Sequence, residues 1–393
     1  MNKALLSLSI GGFGIGLTEF VIMGILPEVA TALDISIPKA GHFISAYALG
    51  VVIGAPVLTG LGSKWPANKV LLVLMLWFTV FNTLSTFANG YHSLLILRFL
   101  SGLPHGAFFG IGAVVAGKLS KPGKEAQGIA IMFSGLTFAN LLGVPLGTYL
   151  GKHFSWHVSF YMVGIVGILA VLSVHFWIPA LKQSSEVSFL KELKIFKRLE
   201  LWLIILLTTI GTGGFFAWYS YIAPLITDVA GHPDSMVSIA MILAGLGMVI
   251  GNFLGAKLVE KFTPIYAIII TLIFMVICLV LNTFLASDKI LVLVMTFIIG
   301  AVTFCLSTPI QVAIINASKG SETLGSSLNQ SAFNIGNASG AYFAGLPIAM
   351  GYGYTSADLV GAVMAGIGVL IAIGIIFLRK KQVNHKNLNP VCD

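Results

Sequence analysis

Apolar segments of about 20 residues or more follow one another along almost the whole chain, each long enough to cross roughly 30 Å of hydrocarbon as an α-helix. Hydrocarbon offers no partner to backbone N–H and C=O groups, so only helices and closed barrels can span it. Barrel strands alternate at every second residue, and these segments do not. The pattern therefore predicts an all-α polytopic membrane protein. With 9% charged residues and a mean hydropathy of +0.97, a soluble domain is excluded.

Twelve spans are expected, near 4–27, 40–61, 69–89, 93–117, 127–150, 156–178, 201–227, 235–258, 264–286, 289–313, 323–349 and 354–378. The first follows a single lysine and lacks a small-residue cleavage site, which reads as a retained span and not a removed signal peptide. The long polar connection Ala180 to Glu200 carries an amphipathic stretch expected to lie along the membrane surface. It divides the chain into an N-terminal six-helix bundle (1–180), a linker (181–200), a C-terminal six-helix bundle (201–380) and a tail (381–393).

Placing both termini on one side of the membrane puts 18 of the 22 basic residues there. Lys39, Lys152 and Lys289 fall on the other side, and Arg98 is left inside a span. Positive charge accumulates on the cytoplasmic face, so both termini are expected in the cytoplasm of a bacterial inner membrane. The net charge of +8 is then a matter of topology and lipid attraction, and no nucleic-acid partner is called for.

The two halves repeat each other. At a constant offset of 197, Gly14, Gly16, Ile25 and Pro27 fall on Gly211, Gly213, Ile222 and Pro224. The same shift carries Gly50, Gly54 and Lys64 onto Gly247, Gly251 and Lys261, and Asn140 and Gly143 onto Asn337 and Gly340. Parallel repeats related by an axis along the membrane normal place a binding site between them near the midplane.

Glu19 is the acid this reading places well inside a span, about 12 Å in from Pro27 at ~1.5 Å per residue. A charge at that depth needs a cavity, a partner or a proton. Arg98 and His105 enter the fourth span at about 8 Å and 18 Å from its start by the same rise, so either can meet Glu19 across a shared cavity. The alternatives are an arginine that snorkels outward and an interior histidine with a packing role. Cargo contacts are sought among mid-depth aromatics and amides: Phe20, Phe108, Phe109, Asn140, Phe216, Trp218, Tyr219, Asn334 and Asn337. Cys278, Cys305 and Cys392 are isolated, with neither metal-ligand spacing nor a disulfide framework. No HExxH, GxSxG or phosphate-binding loop points to an enzyme, and no cofactor is implied.

The segments LTEFVIMGILPEVA (Leu17 to Ala30), GAPVLTGLGSKW (Gly54 to Trp65), RFLSGLPHGAFFG (Arg98 to Gly110) and NLLGVPLGTYLG (Asn140 to Gly151) resemble the major facilitator superfamily, in particular its drug and proton antiporter branch and arabinose-efflux-permease-like proteins. The resemblance implies a monomeric transporter of a small organic solute, a sugar or a drug, working by alternating access with H+ as the coupling ion. A sugar or nucleoside uniporter or symporter of the same fold is the alternative, and a non-transporting membrane receptor that of another class. It also implies a charge latch in the second-to-third loop. There Thr59 and Ser63 stand at the glycine and aspartate positions and Lys64 keeps the base, while the repeat retains Glu260 and Lys261. Gly143, Pro145 and Gly147 resemble the antiporter signature of the fifth span, expected to bring another helix close at the interface between the halves.

Overall fold

The computed structural model describes residues 2–181 and 193–388, without the side chains at 37, 38 and 382–388. It is helical almost throughout, and twelve long helices organise it. They are α1 (Lys3–Gly24), α2 (His42–Gly62), α3 (Ala67–Ser85), α4 (Tyr91–Lys118), α5 (Glu125–His153), α6 (Trp156–Trp177), α7 (Leu199–Tyr219), α8 (Ser235–Lys261), α9 (Pro264–Leu285), α10 (Lys289–Ala317), α11 (Glu322–Ala349) and α12 (Ser356–Leu388). Eleven of them are long and apolar enough to cross a membrane. The exception, α11, has the length but carries Ser326, Ser327, Asn329, Gln330, Ser331 and Asn334, all buried against other helices. The amphipathic stretch expected in the linker lies at 182–192, outside the described residues, as does Cys392.

Packing repeats as the sequence does. α2 crosses α4 as α8 crosses α10, α1 packs on α5 and α6 as α7 packs on α11 and α12, and α3 meets α4 and α6 as α9 meets α10 and α12. Glycines fix these crossings because backbone approaches backbone. A Cβ on Gly50 would run into the carbonyl of Phe99 and one on Gly54 into that of Leu103, and Gly247 and Gly251 stand likewise against Phe297 and Ala301. Large apolar side chains such as Phe284, Ile165 and Leu370 remain on the outer surface, where lipid would cover them.

The halves meet along two seams, α5 with α8 and α11 with α2 and α4. Contacts at one end of the molecule show which loops share it. Asn2 donates to Leu119 O, Lys124 pairs with Glu260 at 2.7 Å, and Arg198 donates to the carbonyls of Ala317 and Lys319. This is the lysine-rich end, and it holds the chain's N-terminus. Hydrogen bonds that cross between halves run from here to mid-depth: Asn252 to Ala130 O at 2.6 Å, Thr59 to Ser327 at 2.6 Å, and Ser331 to Val52 O at 3.0 Å.

Two expectations are corrected here. The small face of Gly143, Gly147 and Gly151 does not meet the other half; it receives Phe13, Leu17 and Val21 of α1, Ile25 just beyond it, and Ser159 and Met162 of α6. The helix opens into a wider turn over Ala139–Gly143 just ahead of Pro145, which lacks an N–H to donate. Closeness between halves comes instead from Gly245 of α8, seated against Asn140 and Leu141. The second correction concerns buried acids, which the sequence reading confines to Glu19. Asp358, in the first turn of α12, is fully buried as well, so the second half has an interior carboxyl of its own.

Candidate functional site

A narrow central cavity lies between the halves, with about 30 Å³ of water-sized space inside it. α1, α4 and α5 supply Glu19, His105, Phe109, Phe133 and Leu136 to one wall. α7, α10 and α11 supply Thr208, Thr212, Thr303, Phe304, Ser307, Ile310, Asn329, Gln330 and Phe333 to the other. The helix directions put the seams directly beneath it: Gly110 follows Phe109 and packs on Ser327, while Ala130 precedes Phe133 by one turn and accepts from Asn252. Toward the lysine-rich end the cavity is therefore floored by backbone in close contact.

The walls differ in chemistry. On the first, Phe109 and Phe133 stack with centroids 5.2 Å apart and planes 6° from parallel, beside the sole acid of the lining, Glu19. Glu19 is 5% exposed, its Oε1 has no hydrogen-bond partner, and it forms no ion pair among the described residues. On the second, an uncharged network fixes the amides. Asn329 donates to Gln311 Oε1 at 2.9 Å and accepts from Thr208 at 2.8 Å, while Gln311 donates to Ser326. Each buried amide is thereby held in one orientation, because leaving its polar atoms unpaired would be costly.

Arg98 is buried completely and does not snorkel. Nη1 donates to Thr18 Oγ1 at 2.9 Å, Thr18 in turn donates to Asn82 Oδ1, and the guanidinium carbon lies 4.4 Å from the centre of the Tyr47 ring. The Tyr47 hydroxyl reaches His105 Nδ1 at 3.1 Å. A chain of polar contacts thus runs from Asn82 through Thr18, Arg98 and Tyr47 to His105 at the cavity. Arg98 still has Nε and Nη2 without partners.

Of the residues sought from sequence, the structure brings Glu19, His105 and Phe109 to the cavity. Phe20 and Phe108 are buried in the core of the first half, Phe108 against Gly11. Phe216 sits behind Phe333 at 5.1 Å, Tyr219 stacks on Phe215, and Trp218 is buried with Nε1 unpartnered. Asn140 and Asn334 turn back onto their own helices, donating to Leu136 O and Gln330 O, and Asn337 is half-buried away from the lining. Sequence reasoning missed Phe133, Phe304, Phe333 and the Thr208–Asn329–Gln311 network. The available signal was the polarity of the segment after Glu322, which is more than lipid contact tolerates.

The latch residues also fall differently. Glu260 pairs with Lys124 of the opposite half, Lys261 lies over the Phe262 ring at 5.5 Å, Ser63 donates to Gly60 O in its own helix, and Thr59 bonds to Ser327 across the seam.

Comparison with known proteins gives one family. The pattern of the Major Facilitator Superfamily matches residues 8–341. The chain is 40% identical to a protein named putative transporter AraJ from Escherichia coli K12, over 93% of each. It is 39% identical to the inner membrane transport protein YdhP of the same strain, over 94% of this chain and 95% of that one. It is 27% identical to a chloramphenicol resistance protein of Streptomyces lividans, over 96% and 95%. Among solved structures, the transporter FucP in the outward conformation superposes with a TM-score of 0.78 at 15% identity, covering 95% of this chain and 98% of that one. The human organic anion transporter MFSD10 gives 0.71 at 13%, covering 95% and 99%.

Proposed function

The chain belongs to the Major Facilitator Superfamily, and on that premise we propose that it exports a small organic solute across the bacterial inner membrane in exchange for protons, with both termini in the cytoplasm. The observation that carries the reading is Glu19: a buried carboxyl, alone of its kind in the cavity lining, with an oxygen that nothing satisfies. A buried ion without a countercharge is expensive, so this arrangement suits a carboxyl that takes up and gives up a proton as its surroundings change. Arg98 bonds to Thr18, the neighbour of Glu19 in sequence, with two guanidinium nitrogens unpartnered among the described residues.

The seams seal the lysine-rich end, which the charge distribution makes cytoplasmic. In this conformation a proton arriving from outside reaches Glu19 and favours release of cargo. Rocking of the halves then exposes Glu19 to the cytoplasm, where it loses the proton and cargo is captured. Aromatic faces on one wall and fixed amides and hydroxyls on the other suit a cargo with both an apolar ring or chain and hydrogen-bonding groups, such as a sugar derivative or an amphiphilic drug. The name of one relative, a chloramphenicol resistance protein, supports the drug-like part of this reading.

The test is transport in sealed vesicles holding the purified protein, with chloramphenicol and pentose sugars as probes and an imposed pH gradient. Glu19→Gln is expected to abolish gradient-driven movement of a transported probe while leaving its binding, read by thermal shift, within about twofold. Undiminished gradient-driven transport by that variant, or proton-coupled uptake in place of export, would overturn the proposal.

A further inference from the structure

Asp358 is the second interior carboxyl, at the start of α12 and outside the cavity lining. Among the described residues its side chain has one hydrogen-bond partner, an amide on the neighbouring helix: Asn282 Nδ2 of α9 donates to Asp358 Oδ2 at 2.9 Å. Two oxygens are then left over, Asp358 Oδ1 and Asn282 Oδ1, both buried and both without a hydrogen-bond donor. Two unpaired acceptors side by side in an apolar interior are unfavourable twice over. A single proton on the carboxyl removes both faults at once. As an O–H, Asp358 Oδ1 donates to Asn282 Oδ1 while the amide N–H continues to donate to Oδ2, closing an acid–amide ring with no unsatisfied atom.

Nothing nearby offers an alternative. The helices packed against α12 are α7, α9 and α11, and none of them contains a lysine, arginine or histidine. The cations of α12 itself, Arg379 to Lys381, stand at its far end, where Arg379 pairs with Glu200. Tyr221, at the end of α7, donates to Ala341 O, Cys278 lies one turn along α9, and Asp288 beyond α9 is engaged as a helix cap. One turn below Asp358, α12 touches α7 so closely that a Cβ on Gly361 would strike the carbonyl of Gly214, which bars water from that side.

We propose that Asp358 and Asn282 form a neutral acid–amide pair, a second proton-holding site that fastens α9 to α12 and works independently of Glu19. The inference does not rest on the export reading. Infrared spectroscopy of the full-length protein in vesicles at neutral pH tests it. A protonated-carboxyl C=O band is expected in Glu19→Gln, where Glu19 cannot contribute one, and is expected to be lost when Asp358→Asn is added to that variant. The thermal midpoint of Asp358→Asn should stay close to that of the unmodified protein, because the new amide supplies the missing donor. If that variant fails to fold, Asn282→Ala gives a second reading: the band should persist but shift, its hydrogen-bond partner having gone. A band unchanged when Asp358→Asn is added to Glu19→Gln, a carboxylate signal at Asp358, or a band unmoved by Asn282→Ala would each overturn the proposal.

Discussion

Arg98 rests its guanidinium on the face of Tyr47, 4.4 Å from the ring centre, and Tyr47 in turn bonds to His105. A desolvated cation on an aromatic face is worth about 2 kcal/mol, enough to help hold the arginine beside Glu19 without a bond to it. Thr18 is the other restraint, accepting from Arg98 and donating to Asn82. Thr18→Val removes both bonds and leaves a charged donor and Asn82 Oδ1 unpaired in the interior. A loss of about 1–3 kcal/mol is expected, seen as a lower thermal midpoint, with Thr18→Ser restoring it. An unchanged midpoint in the valine variant would show that the relay bears no load.

Gly110 tests the seam. A Cβ there would meet the backbone of Ser327, whereas one on Gly117 finds only Glu125 Cβ at 3.9 Å. Gly110→Ala is expected to penalise only the conformation sealed at the lysine-rich end, by about 1–3 kcal/mol, which lowers its ratio to the other conformations roughly 5- to 150-fold. Disulfide trapping between cysteines introduced as Lys124→Cys and Glu260→Cys reports that population. Its yield should fall in Gly110→Ala and hold in Gly117→Ala; equal yields in both would contradict the assignment.

Asp288 gives a pH dependence that can be worked out in sign. It caps α10 from outside the span, accepting from the N–H groups of Ile290 and Leu291, and these bonds hold its carboxyl below the ordinary aspartate value. A group lowered on folding contributes stability above its unfolded pKa and loses it as pH falls through the folded value. The unmodified protein should therefore lose thermal stability on acidification through and below the usual aspartate range. Asp288→Asn, which can still cap but cannot titrate, should flatten that part of the profile, and Asp288→Ala should be less stable at neutral pH. A profile identical in all three would remove the cap from the account.

Much of this was legible because membrane helices announce themselves. The 197-residue repeat, read from glycines, returns as repeated crossings at Gly50 and Gly247, and Glu19 was conspicuous as a charge in an apolar run. The cavity lining was harder. Phe109 and Phe108 are adjacent in sequence, yet one faces the cavity and the other fills the space beside Gly11. In a chain apolar on every side, periodicity does not distinguish a face toward lipid from a face toward a cavity. Asp358 was misplaced for a related reason: a carboxyl three residues into a helix reads as solvated until α7 and α9 are seen to close over it. The wider turn at Ala139–Gly143 likewise turns the following glycines toward α1, a rotation that spacing alone does not reveal.

The polar sequence of α11 has a consequence for biogenesis. Amides and hydroxyls at Ser326, Ser327, Asn329, Gln330, Ser331 and Asn334 would each be penalised on meeting acyl chains alone. Such a segment enters the bilayer by being received into protein, and its receptors include α2 and α4 from the opposite half as well as α7. The earlier-made half is then a mould for the later one, and ribosomal order becomes part of how the molecule is assembled.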